Sequence, residues 1–191
     1  MNATIVTAPA LEPVTLAEAK DYLRVDSSDE DALIQALIKA AREWVEHYTG
    51  RALISQTWDA FWDTWCDPFI VPLSPLQSVT TLKYTDDNGT QQTLANTVYS
   101  VDTDAVPGKV WLAYNQTWPT ARAIPNTIEM RFISGHGDNP SDVPHSIRTA
   151  IKILCDDRWQ HRESEVIGAS VEELPVVQNL LCNYRVHGVQ W

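Results

Sequence analysis

At Gly50 the hydrophobic repeat of this sequence changes period, and that change constrains the fold more than any motif does. Before it, Leu33, Ile34, Leu37, Ile38, Ala41, Trp44, Val45 and Tyr48 recur at three-and-four spacing, the stripe of an amphipathic helix. Gln35, Lys39, Arg42, Glu43 and Glu46 take the opposite, polar face. After it, Trp58, Ala60 and Trp62 alternate with Thr57, Asp59, Phe61 and Asp63, the period of a half-buried strand. Gly50 itself supplies the helix stop. A chain carrying both periods in long runs is neither all-helical nor all-β.

Local signals extend this reading in both directions. Thr15-Leu16-Ala17-Glu18 is a capping box that opens a short helix to about Val25, with Pro13 just ahead of it. Asp26-Ser27-Ser28 breaks that helix and caps the longer one, whose N-terminal dipole favours Asp29, Glu30 and Asp31. In the middle third, Val79 to Tyr84 and Thr90 to Leu94 form a hairpin closed by Asp86-Asp87-Asn88-Gly89. Further strands are expected at 98–101, 109–114 and 127–133. Gly135-His136-Gly137 and Pro140 end the β part, and Val143-Pro144 starts a third helix to about Arg162 with Ile147, Ala150, Ile151 and Leu154 inward. Pro175 opens a fourth, running through Leu180 and Leu181 to Tyr184. The expected fold is α+β: a helical bundle of about four helices with a β-rich insertion between the second and third long helices. It is read as one domain over 1–191, helical at 12–50 and 143–185, β-rich at about 52–134, with a tail at 186–191.

Charge and motif content narrow the function. The formal net charge is −11, from 14 Lys+Arg against 25 Asp+Glu, which disfavours binding to nucleic-acid phosphates or anionic lipid. No run approaches the roughly 18 apolar residues of a membrane span, and the first residues lack a secretory pattern. Cys66, Cys155 and Cys182 form no ligand pair, and they are expected as reduced, small core hydrophobes of a protein made in the cytoplasm. The five histidines never fall at metal spacing. His136 between two glycines reads as a turn residue. Asp156, Asp157, His161 and Glu163 read as a solvated face paired with Arg158 and Arg162 rather than a metal cluster. No phosphate loop, nucleophile elbow or calcium loop is present, so no catalytic residue, cofactor or metal ligand is assigned. The positive signal is eight tryptophans against three phenylalanines, an excess of the residue type that enriches protein contacts.

Three stretches, in order, carry a family resemblance: Glu12-Pro13-Val14-Thr15-Leu16-Ala17-Glu18-Ala19-Lys20 with Leu23-Arg24-Val25-Asp26; Ala41-Arg42-Glu43 to Tyr48-Thr49-Gly50-Arg51; and Gly135-His136-Gly137 with Val143-Pro144, Ile147 and Ala150. Leu174-Pro175 to Leu180-Leu181 and Tyr184-Arg185-Val186 add a fourth. Together they resemble the head-tail connector (adaptor, head-completion) proteins of long-tailed double-stranded DNA phages and prophages.

The resemblance implies a structural virion protein in the neck. It implies a homo-oligomeric ring, usually of twelve copies, that docks on the portal protein and presents a surface to the next neck or tail-completion protein. By position, Tyr184, Arg185, Val186, His187, Val189 and Trp191 are the expected portal contact. Trp58 and Trp62, sharing a strand face, are expected at a subunit or partner contact, or packing the insertion onto the helices. Double-stranded DNA would pass through the lumen without specific binding, repelled by carboxylates, for which Asp26, Asp29, Glu30 and Asp31 are the candidates. A tail-side completion or terminator ring is the alternative, and a small metal-dependent hydrolase a more distant one.

Overall fold

The computed structural model describes residues 2–160 and 175–186. The capping box forms as the sequence dictates: the Thr15 hydroxyl accepts from the Glu18 amide at 3.2 Å, and Glu18 Oε2 accepts from the Thr15 amide at 3.0 Å. This starts α1 (Leu16–Leu23), which Arg24 ends in the left-handed conformation. Helix α2 (Asp31–Thr49) begins later than expected. Glu30 is its N-cap and makes no side-chain cap bond. The Ser27 hydroxyl instead accepts from the Asp29 amide at 3.2 Å, which folds 27–29 into a turn ahead of the helix.

The stripe of α2 buries Ile34, Ile38, Ala41 and Val45, but three assignments to its faces fail. Leu33 is 41% exposed, whereas Arg42 and Glu46, expected in solvent, are buried. Gly50 caps α2 at φ +69°, a conformation in which a Cβ is strained.

Seven strands lie between α2 and the third helix: β2 (Gln56–Trp62), β3 (Phe69–Ile70), β4 (Leu76–Thr85), β5 (Gln91–Thr93), β6 (Tyr99–Asp102), β7 (Lys109–Leu112) and β8 (Ile128–Ser134). An eighth, β1 (Asn2–Thr7), precedes α1 and was not expected from the sequence. Its β-branched run pairs antiparallel with β2, from Asn2 opposite Phe61 to Thr7 opposite Thr57. Two antiparallel sheets result, ordered β1-β2-β8-β4-β5 and β3-β7-β6. Strict alternation in β8 turns Ile128, Met130 and Phe132 inward, where β2 and β4 flank it. The hairpin of β4 and β5 is closed as expected, with Asp86 Oδ1 accepting from the Asn88 and Thr90 amides at 2.9 Å each.

Helix α3 (His145–Gln160) and α4 (Pro175–Leu181) complete the described elements. The expected end of α3 at Arg162 lies outside the described residues. Helix α4 stops before Tyr184, because a 3-10 turn takes over at Cys182–Tyr184. The fold is thus α+β, with four α-helices and two antiparallel sheets among the described residues.

The four helices share one apolar core, including Ile34, Ile38, Val45, Ile147, Ile151 and Leu181. A second core lies in the β part, around Trp62, Phe69, Leu82, Met130 and Phe132. The chain between them is held tightly. At Gly135, φ is +143°, and a Cβ would lie 2.6 Å from the Ile54 carbonyl carbon and the Ser55 amide, so only glycine admits this backbone contact. No described helix is long and apolar enough to cross a membrane.

Candidate functional site

The C-terminal segment, expected from its position to make an external contact, returns to the end of α2. Val177 and Leu181 bury in the helical core, and the 3-10 turn then aims the chain at Gly50. The Val186 amide donates to the Thr49 carbonyl at 2.8 Å, and Arg51 Nε donates to the Tyr184 carbonyl at 2.5 Å. The Arg185 guanidinium lies 5.2 Å from the centre of the Tyr48 ring, which stacks on Trp44 at 5.1 Å. Tyr184 and Val186 are half-buried and Arg185 is exposed. His187, Val189 and Trp191 lie outside the described residues. The fixed point from which the last residues depart is therefore a backbone clamp between Thr49 and Arg51.

That clamp rests on a buried polar node. Glu46 Oε2 accepts from Arg42 Nη1 at 2.5 Å, and its Oε1 accepts from the Leu53 amide at 3.0 Å and Gln56 Nε2 at 2.6 Å. Arg42 Nε also donates to Glu12 at 2.8 Å. Burial pushes the Glu46 carboxyl up, against the pull of Arg42 and the hydrogen bonds; the two carboxylates hold the Arg42 guanidinium firmly charged despite its own burial. The Arg42–Glu46 pair thus joins α2 to Leu53 and to Gln56 of β2 through Glu46, and to Glu12 ahead of α1 through Arg42.

His136 sits beside this junction. Its amide donates to the Leu53 carbonyl at 3.1 Å, while its buried Nε2 has no partner. Burial and the nearby Arg51 push its pKa down to about 4, so the imidazole is neutral. It is a structural loop residue held by its glycines, with no nucleophile or carboxylate bonded to it in the described structure.

The other sequence candidates divide. Trp62 is 9% exposed and meets Phe69 edge-on at 5.0 Å, inside the β core. Trp58 is half-buried, with its Nε1 donating to Gln56 Oε1 at 3.2 Å. Asp26 and Asp29 are exposed; Glu30 and Asp31 are half-buried, and Asp31 pairs with Lys20 at 2.6 Å. The three cysteines are not alike: Cys155 is buried, with its thiol pushed up to about 11, Cys66 is half-buried and Cys182 is exposed. The core reading therefore fails for Cys182, which a 3-10 turn places outside the apolar stripe of α4. Asp156 accepts from Gln160 at 2.8 Å, and no group of three or more acidic, His or Cys side chains among the described residues could hold a metal ion. His161 and Glu163 lie outside those residues. The node at Glu46 and the strand β1 were both missed; the spacing of four between Arg42 and Glu46 was the available signal for the first.

Residues 13–105 match the family model described as phage gp6-like head-tail connector protein. That segment, just under half of the chain, is similar to the head-tail connector family. It contains the capping box, α2, the Glu46 node and both strands of the hairpin, and it ends three residues beyond β6. Solved structures resemble this chain over its full length. A chain in the neck of an empty GTA particle computed with C6 symmetry is 26% identical, with a TM-score of 0.80, covering 100% of this chain and 98% of that one. A chain in the neck of the native GTA particle computed with C12 symmetry matches at 24% identity and TM-score 0.80, with the same coverage. A third, from the virion of the native gene transfer agent (GTA) particle, matches at 24% and 0.76. No curated protein matched. The connector family and these neighbours are structural neck proteins rather than enzymes.

Proposed function

We propose that this chain is a structural component of a virion neck, a ring adaptor between the portal and the tail that completes the head and lets DNA pass. The observation that carries the reading is the full-length match, at 26% identity, to a chain in a GTA particle neck, together with the connector segment at 13–105. The cyclic symmetry of the matched necks supports a ring of identical copies, twelve by the C12 case. A single connector unit is supported by the Glu46 node, which ties helices to sheet. The portal is contacted by Tyr184, Arg185, Val186 and the tail residues His187, Val189 and Trp191. Their starting point is rigid, and an aromatic in a short uncharged tail suits a pocket on a neighbour. Trp58, half-buried, is the better of the two tryptophans for a partner contact, since Trp62 is spent in its own core.

The net charge of −11 suits a channel through which DNA slides without adhering, and exposed Asp26 and Asp29 are its best candidates for the lumen. Imaging of whole necks containing the full-length chain tests all of this together. A ring between portal and tail is expected; the chain's absence from the neck, or its presence there as isolated copies, would refute the reading.

A further inference from the structure

Strands β1 and β5 are the two outer strands of the five-stranded sheet. In an antiparallel pair every second residue directs its N–H and C=O away from its partner, so each outer strand offers a row of open backbone groups. Proteins usually blunt such edges with charge, proline or brevity. Strand β1 has six residues, no charge, no proline and four β-branched residues in a row from Thr4 to Thr7. Ile5 and Val6 are 48% and 45% exposed. The one interruption is a register shift between Ile5 and Thr7.

We propose that the free edge of β1 pairs with the free edge of β5 in a neighbouring copy of this chain, an inference that rests on the ring reading above. Charge points to this partner. Copies carrying −11 each repel one another, so they approach most easily where neither bears charge. Residues 2–11 contain no charged side chain, and neither do residues 88–101; the carboxylates nearest β5, Glu129 and Asp86, are already engaged by Gln91 and Gln92. Beside β1, a groove of about 380 Å³, bordered by Ile5, Pro9 and Trp58 on one side and by Lys39, Arg42 and Glu43 of α2 on the other, leaves room for the polar side chains of the incoming β5.

Geometry sets the consequence. The two edges are at opposite ends of one sheet, so the contact is head-to-tail and propagates around a ring instead of closing a dimer. Strand β5 has only three residues, far too few to bury the roughly 800 Å² per partner of a stable pair. The contact therefore forms in the assembled ring and not between free chains.

The test uses full-length chain in assembled particles, with Cys66→Ser and Cys182→Ser as background and Thr4→Cys and Gln92→Cys added singly and together. Mild oxidation of the double variant is expected to give a ladder of covalent multimers on a non-reducing gel, and the single variants none. Hydrogen exchange on the unsubstituted chain is the companion measurement: amides of residues 2–7 are expected to slow about tenfold or more between free chain and particle. A ring visible by imaging without a ladder and without slowed exchange would overturn the β1–β5 contact alone. Dimers from Thr4→Cys by itself would overturn it in favour of two-fold β1 pairing. Particles with no ring would overturn both this contact and the adaptor reading.

Discussion

Arg42 and Glu46, one turn apart on α2, form a buried ion pair at 2.5 Å whose carboxylate also caps the Leu53 amide and the Gln56 side chain. The pair sits where the helical period ends and the strand period begins. Its geometry explains how an eight-stranded β part stays in one orientation on the helices: the Leu53 amide and Gln56 both point at a group fixed on α2.

Removing Glu46 alone should be costly. In Glu46→Leu the Arg42 charge keeps only Glu12 as a close partner, with Glu43 at 3.5 Å, and the Leu53 amide is unpaired. A loss of about 3–5 kcal/mol is expected in urea unfolding. The double variant Arg42→Met with Glu46→Leu should recover part of that loss, because no buried charge is stranded. A double variant no more stable than the single one would show that the pair is not the source of the cost.

Two glycines should respond differently to alanine. At Gly50 the added Cβ meets Val186 Cβ at an ordinary 3.5 Å, so only the positive φ is penalised, about 1 kcal/mol. At Gly135 it would strike the backbone of Ile54 and Ser55 at 2.6 Å, and a loss of about 3 kcal/mol is expected. Equal effects in denaturant melts would contradict the close approach of the two segments.

What the sequence revealed follows from the range of the forces involved. The capping box of Thr15 and Glu18, the Gly50 stop and the Asp86 turn are set by neighbours within four residues, and all were readable. The burial of Arg42 and Glu46 was not, because it depends on Leu53 and Gln56 arriving from beyond Gly50. Strand β1 was missed because its partner is nearly sixty residues away and its edge position leaves five of its six residues exposed, so it shows no alternation. The alternation of β2 put Trp58 and Trp62 on one face, but periodicity could not say that Trp62 meets Phe69.

The stability contribution of His136 should fall on mild acidification, while Glu46, whose carboxyl burial pushes up, acts in the opposite sense above the usual carboxylate range. The His136 pKa is depressed to about 4 from 6.5, so the unfolded chain takes up this proton first. Its contribution is complete above the unfolded pKa and is lost as pH falls from about 6.5 towards 4. Glu18 acts in the same direction at lower pH. Desolvation raises its pKa, but the Thr15 amide and Arg148 outweigh that and hold it below the usual range. Thermal melts across this window should flatten in His136→Asn between pH 6.5 and 4. An unchanged slope would remove His136 as the cause.

Deleting residues 187–191 separates folding from docking. The backbone clamp ends at Val186, whose amide is held by Thr49, and no described hydrogen bond of the two cores needs anything beyond it. The truncated chain is therefore expected to melt within about 0.5 kcal/mol of the full one. If the last residues seat on the portal, the same chain should fail to join portal complexes and should leave filled heads without stable tails. Infectious particles at normal yield would show that the portal contact lies elsewhere. A large loss of stability would instead show that the tail packs on its own chain.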